Sequence, residues 1–577
     1  MFQTILGIVL FFIPFILVFN FQDRTRGFLY VFTSVLGFHI IIALLTQIFH
    51  IFSFPLVFSI HLLVGISCLV IFLRKKKYFS NIKFSWLVLL VFMVVGFELS
   101  SVHYFYKGIV SEARGLNVVS GDFYAYPHYS DEWVGVSFVD YSIKQKSLPL
   151  VNPLWYNQPL SNGFVVFYSF ISEVFLFLGL NPLVNWSLFA ILNGLLISFS
   201  IYLLLKANNI SSFSSALAAM SVPLIVNGHN LSGVWFFIPV IFALSVYLVL
   251  LICLSKKEFT IGLFVSILCF LLYPPFIVFI FPTLFVYILH NKVSLFSLFF
   301  LALPGIGIIS LLSTNLGFSG ALNLVHLWLI RPNLDGGGII SMPFWVILPT
   351  LLIPFIVFGP FFIIKKRLYV LISPIVCGVF CWIFFSFVKE AVIIDQTRSI
   401  TIASIILIIL VGFGVEFAIS FIKNFRILNF IKAGFILAFI ITAFFYPGSN
   451  TWSKLVLKIK TDEKTLSYSP LPPITRYLYP DDLEFFGNFS GKRFLSHPLK
   501  GLAIGVATHN YPLDSKASTV TNRFLRYYDF MESSCEEKTK QARDFQIDYI
   551  YSFSFSCPHF EKLGSSQEGF HFYKFVF

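Results

Sequence analysis

Apolar runs dominate the first three quarters of the chain. Residues 1–20 are apolar but lack a basic leading segment and a small-residue cleavage site, so they read as a span rather than a removed signal. Runs long enough to cross about 30 Å of hydrocarbon follow near 27–51, 53–73 and 84–106. A polar interval, 107–162, interrupts them. Further runs lie near 163–181, 183–205, 212–227, 232–254, 259–272, 273–290, 293–314, 343–364, 368–388, 399–422 and 428–447. The pair 259–272 and 273–290 is fused around Tyr273-Pro274-Pro275. Beyond Pro447 the composition becomes that of a soluble domain.

The pattern predicts a polytopic α-helical membrane protein with about 14 spans and a juxtamembrane segment over residues 1–447. A small C-terminal α/β soluble domain follows over 448–577. In that tail, 493–496, 547–553 and 570–577 read as strands and 532–545 as a helix. No internal repeat, phosphate-binding glycine loop or metal-ligand spacing is visible in it.

Composition agrees. Of 577 residues, 57% are hydrophobic and 12% charged, with a mean hydropathy of +0.85. A soluble globular chain is about 25% charged. A water-soluble enzyme and a nucleic-acid partner are excluded at this point. The net charge of +13 needs no anionic partner, because membrane proteins hold Lys and Arg in their cytoplasmic loops. Residues 1–447 carry 24 Lys and Arg against 13 Asp and Glu, and the tail carries 16 against 14. The 75 Phe suit lipid-facing helices. Cys68, Cys253, Cys269, Cys377 and Cys381 lie in apolar runs and read as small hydrophobes. Cys535 and Cys557 lie in the tail, where an oxidising compartment would let them pair.

Basic loops set the topology. Arg74-Lys75-Lys76-Lys77 should be cytoplasmic, which puts 107–162 on the far side. If 163–181 lies along the outer interface instead of spanning, 17 Lys and Arg of the first 447 residues fall inside and 7 outside. Both termini are then outside. Three loops, 107–162, 315–341 and 388–398, share the outer face with the tail, and 107–182 becomes an outer loop with juxtamembrane helices.

The first outer loop holds the densest chemistry. It contains His128, Tyr129, Ser130, Asp131, Glu132 and Trp133, then an amphipathic stretch to Lys146. Ser130 can cap a helix there, with two acids in its first turn favouring the dipole. A carboxylate held near apolar rings can equally serve as a general base. Within the spans, Glu98 and Glu416 are rare charges. Such a group in hydrocarbon is a functional hypothesis by default, although Glu416 fits an interfacial position.

An acidic pair opening a juxtamembrane helix in the first large outer loop, an aromatic amphipathic segment, many spans and an outer soluble domain resemble the GT-C superfamily of membrane glycosyltransferases. The resemblance covers the architecture of the whole chain, and locally Ser130-Asp131-Glu132-Trp133 through Tyr168. It implies an inverting hexosyl or pentosyl transferase that moves a sugar from a polyprenyl-phosphate carrier to a glycan, lipid or protein acceptor. The site would lie at the outer face of a bacterial or archaeal cell membrane, in the assembly of envelope glycans. Asp131 would be the general base, with Glu132 the next candidate. Arg398 matches the family's late phosphate-binding arginine, with Arg331 and then Lys389 behind it. A guanidinium can hold phosphate oxygens in a fork. His128, Tyr129, Trp133 and His229 are candidates for contact with substrate, and His326 is a weaker one.

The chain departs from the family in one respect. The next outer loop reads Asn227-Gly228-His229-Asn230, without the second acidic motif of many diphosphate-using members. No cofactor follows from the sequence with certainty, a divalent metal stays possible, and a monophosphate donor is slightly favoured. Asp335-Gly336-Gly337-Gly338 offers either a closing loop or a plain turn. Two other classes stay open: a transporter or flippase for a lipid-linked glycan, or a polymerase or ligase using the same donor. A transporter would carry ionisable groups along a mid-membrane path and often repeats; this chain shows few and none.

Overall fold

The computed structural model describes residues 2–18, 23–75, 85–112, 115–154, 163–225, 233–331, 352–388, 391–394, 396–422, 424–445, 477–515 and 525–576. His229, Lys389 and the 335–338 glycine run lie outside these residues.

The membrane part begins with α1 (Phe2–Val18), α2 (Arg24–Ile48), α3 (Phe54–Lys75) and α4 (Trp86–Tyr104). A hairpin that the sequence reading missed follows, β1 (Phe105–Glu112) antiparallel to β2 (Gly115–Phe123). Next come α5 (Ser130–Gln145), α6 (Val165–Leu178), α7 (Pro182–Ala207), α8 (Ser212–Met220), α9 (Pro239–Ser255), α10 (Phe259–Leu272) and α11 (Ile277–Asn291). The bundle ends with α12 (Ala302–Leu329), β3 (Ile330–Arg331), α13 (Ile353–Lys365), α14 (Tyr369–Val388), β4 (Ala391–Val392), α15 (Gln396–Ser420) and α16 (Phe425–Phe445).

The bundle is ordered by burial. Every residue of α9 from Pro239 to Leu254 is buried, as expected of a helix that is apolar on all sides. The α7 and α10 helices pack on α9, and α13 and α14 pack on α15. In lipid, close backbone approach replaces the hydrophobic effect as the attraction between helices. Gly359 and Gly414 provide it where α13 crosses α15: a Cβ on Gly414 would collide with the Phe355 carbonyl, and one on Gly359 would lie 2.6 Å from the Leu410 carbonyl.

Among the described residues, six helices are long and apolar enough to cross a membrane, and eight more are apolar but shorter. The protein is a multi-span membrane protein. The fused run resolves into α10 and α11, because Pro274 and Pro275 form a short 3-10 turn between them. The α6 helix has 14 residues. At 1.5 Å per residue it reaches about 21 Å, short of the hydrocarbon thickness.

The tail contains α17 (Pro480–Phe486), β5 (Arg493–Ser496), α18 (Pro498–Thr508), β6 (Tyr511–Pro512), α19 (Tyr527–Glu532), α20 (Cys535–Asp544), β7 (Tyr549–Ser552), β8 (Phe560–Ser565) and β9 (His571–Phe575). Its sheet has the order β6-β5-β7-β9-β8, with β5 parallel to β6 and β7 and β9 antiparallel to its two neighbours. Cys535 and Cys557 form a disulfide. Beneath the sheet, buried Lys500 lies 2.8 Å from Glu568 and 3.2 Å from Asp482, so each buried charge has a partner.

The tail docks on the first loop. Tyr477 stacks on Tyr124 at 4.4 Å, and the Leu478 amide donates to the Tyr124 hydroxyl at 3.2 Å. The α18 helix packs against α5.

Candidate active site

The site is built on the first turn of α5. Tyr129 is extended (φ −108°, ψ 145°) and occupies the cap position. Ser130, expected as the cap, is instead the first helical residue. Glu132, three residues past the cap, reaches back to accept the Tyr129 N–H at 2.9 Å and the His128 N–H at 3.0 Å, as in the acidic half of a capping box. Its other oxygen accepts the Phe237 N–H, just before α9, at 2.8 Å.

Glu132 is 1% exposed. Burial pushes its carboxyl up to about 7, against the pull of the three N–H donors. Glu132, the second candidate base, has both oxygens engaged by backbone N–H groups and fastens the first loop to α9.

Asp131 points elsewhere. Successive helical residues are rotated by about 100°, so Asp131 leaves the face that Glu132 occupies. Its Oδ2 lies 3.7 Å from Nη2 of Arg398 in the first turn of α15. Arg398 Nη1 donates to the Tyr273 hydroxyl at 3.2 Å. Tyr273 stands at the α10–α11 break and stacks on Phe164 at 5.1 Å. The Tyr168 hydroxyl, on α6, lies within electrostatic reach of both Asp131 and Arg398. Asp131 and Arg398 keep side-chain exposures of 23% and 21%, while Tyr273 is buried. The charged pair is thus accessible on an apolar and aromatic base.

The first and third candidate loops meet in this pair. The second joins them through β3 and β4, where Arg331 pairs with Ala391 and Ile330 with Val392. Arg331 is thereby placed by its backbone beside the segment that leads to Arg398.

The other candidates divide differently. Trp133 is fully buried in the core, stacked on Tyr126 at 6.4 Å. His128 is also buried. Its Nε2 donates to the His103 carbonyl at 3.2 Å, and burial holds the imidazole well below its ordinary range, hence neutral. Tyr129 is half-buried and stacks on Phe236 at 4.7 Å. His326 is exposed on α12. Glu98 is buried in α4. Glu416 accepts from the Ser211 and Ser214 hydroxyls at 2.5 and 2.8 Å and from the Ser211 N–H at 3.2 Å, which caps α8.

Sequence reading did not find Tyr273 or Tyr168. The proline pair was a signal for Tyr273, since a broken apolar run exposes backbone that must be lined by something polar. Tyr168 gave no signal of its own.

Among the described residues, the grouping of three metal-capable side chains is His39, His61 and Glu173.

No known family's sequence model matches the chain, and no curated protein matches it. The fold is similar to that of an oligosaccharyltransferase. Crystal structures of the enzyme from Archaeoglobus fulgidus, in the apo form and tethered to an acceptor peptide containing the NVT sequon, align with 82% of this chain. They do so at 12% identity, with TM-scores of 0.47 and 0.48, over 70% and 69% of their own length. The same archaeal enzyme, AglB, in complex with an inhibitory peptide and a dolichol-phosphate aligns at 11% identity and a TM-score of 0.46, over 82% of this chain and 70% of its own.

Proposed function

We propose that the protein is an integral membrane glycosyltransferase. It moves a sugar from a polyprenyl-phosphate carrier to an acceptor at the outer membrane face, with inversion. The observation that carries this reading is the meeting of Asp131 with Arg398 across two loops distant in sequence, both partly exposed on a buried aromatic base. The resemblance of the loop to GT-C enzymes supports it as well.

Displacement with inversion needs a base on one face of the anomeric carbon and a cation at the departing phosphate on the other. Asp131 takes the proton of the acceptor. Arg398, oriented by the Tyr273 hydroxyl, holds the phosphate oxygens in a fork. At 3.7 Å the two groups are too close for a sugar to stand between them. In inverting glycosidases the two working carboxyl groups stand about 6.5–9.5 Å apart to admit a water. Donor binding must therefore draw Arg398 away from Asp131, and its long side chain permits this. The phosphate replaces the Asp131 carboxylate as partner of the guanidinium, so Asp131 loses its counter-charge and becomes the stronger base.

Mass spectrometry of envelope glycans and polyprenyl-linked sugars tests the reading. Cells carrying the native protein, Asp131→Asn or no protein are compared. Both defective strains should lack one sugar of a glycan and accumulate its lipid-linked donor. Full rescue of the null strain by Asp131→Asn would remove Asp131 from the chemistry and return transport of a lipid-linked glycan to the lead.

A further inference from the structure

Three ionisable side chains meet inside the bundle, apart from the Asp131 site. His39 comes from α2, His61 from α3 and Glu173 from α6. All three are fully buried. Glu173 Oε2 lies 2.8 Å from His39 Nδ1, Glu173 Oε1 lies 3.2 Å from His61 Nε2, and the two imidazole nitrogens are 3.2 Å apart. Phe11 stacks on His39 at 3.8 Å and Phe177 on His61 at 4.1 Å, and Phe38 meets His61 edge-on.

The hydrogen-bond roles close only with a proton or a metal ion held between the three side chains. His61 Nδ1 lies 2.7 Å from the Val57 carbonyl and must donate to it. A neutral His61 therefore presents a lone pair at Nε2. That lone pair faces Glu173 Oε1, itself an acceptor with no hydrogen-bond partner. Two lone pairs facing each other in an apolar interior need a proton or a metal ion between them. The distances suit a metal. With Zn–N bonds of about 2.0–2.1 Å, two nitrogens of a tetrahedral site stand about 3.3 Å apart. The Nδ1–H donated to a backbone carbonyl is the outer-shell bond that fixes a metal-binding histidine in its ligating tautomer.

The geometry points to a resident divalent transition-metal ion, Zn2+ by chemical preference, bound by His39 Nδ1, His61 Nε2 and the Glu173 carboxylate. Both carboxylate oxygens face the imidazoles, so a bidentate Glu173 completes four-fold coordination. Imidazole nitrogen with a single carboxylate favours Zn2+ over the oxygen-seeking Mg2+ and Ca2+. The ion fastens α6 to α2 and α3. The same α6 carries Tyr168 to the Asp131 site. The inference does not depend on the glycosyltransferase reading.

The test uses the full chain, purified through a tag without histidine and exposed to Zn2+ before extensive washing. Elemental analysis should find about one Zn2+ per chain. Glu173→Gln and His61→Gln should each reduce occupancy at least about tenfold, while Asp131→Asn and His50→Ala leave it intact. If those two ligand variants do not fold, X-ray absorption on the wild type decides instead. Its zinc edge should show two imidazoles and oxygen, without sulfur. Less than about a tenth of an ion per folded wild-type chain after Zn2+ exposure, or undiminished zinc in the folded ligand variants, would overturn the site. In the first outcome the cluster holds a shared proton.

Discussion

At the scale of single residues, Asp131 and Glu132 show how adjacent carboxylates take opposite tasks. Glu132 is buried and accepts three backbone N–H bonds from both sides of the loop junction. Asp131 is partly exposed and meets a guanidinium. Glu132→Gln would turn an NH2 group toward at least one N–H donor, that of Phe237 in the better orientation, so it should cost about 1–3 kcal/mol of stability. Thermal unfolding in one detergent would read this as a lowered midpoint, with Asp131→Asn close to wild type. Equal midpoints for Glu132→Gln and wild type would show that the three bonds do not hold the loop. Arg398→Lys keeps the charge but loses the fork and its contact geometry with Tyr273. Transfer by that variant should fall about tenfold or more, mainly through weaker use of the donor; unchanged donor kinetics would remove the phosphate from Arg398.

At the scale of elements, α5 has two working faces. Asp140 stands nine residues after Asp131, half a turn away on the helical wheel. It pairs with Lys144 at 2.8 Å, and Lys144 Nζ donates to His509 Nε2, just beyond α18, at 2.8 Å. Thus one face serves the candidate chemistry and the other receives the tail. Burial and the Lys144 ammonium hold the His509 imidazole below its ordinary range, against the pull of Asp140. A lowered folded value means that the undocked form binds the proton more tightly. The contact is therefore intact above about pH 6.5 and weakens as pH falls below it. Hydrogen exchange on α5 and α18 should rise between pH 7.5 and 5.5 in the wild type and change less in His509→Gln. The α5 helix was legible because its acids open an amphipathic stretch. The β1–β2 hairpin was not, because its Val and Ile residues directly follow a span and blur into it. The His39–His61–Glu173 cluster was also hidden: its ligands come from three segments up to 134 residues apart, so no local spacing marks it.

At the scale of the whole molecule, α6 decides which side the tail occupies. The basic loops divide cleanly only if 163–181 does not cross. The segment is held on the bundle by contacts with α1, α2, α3 and α5, and its Ser169 carbonyl accepts from Gln47 near one end of α2 at 3.1 Å. If α6 does not cross, the tail shares the outer face with Asp131 and Arg398. The Cys535–Cys557 disulfide agrees, since such bonds persist in oxidising compartments and are rare in a reducing cytosol. Labelling of intact cells checks this. After treatment with a membrane-impermeant reductant, an impermeant maleimide should modify Cys535 and Cys557, while a cysteine placed at Lys77 stays unlabelled until the cells are opened. A reporter fused after Phe577 should likewise be active only outside. If the tail cysteines label only in opened cells, α6 or a neighbouring segment completes a further crossing. The tail would then lie opposite the first loop, in conflict with the Tyr124–Tyr477 stacking and the Lys144–His509 contact that join the two.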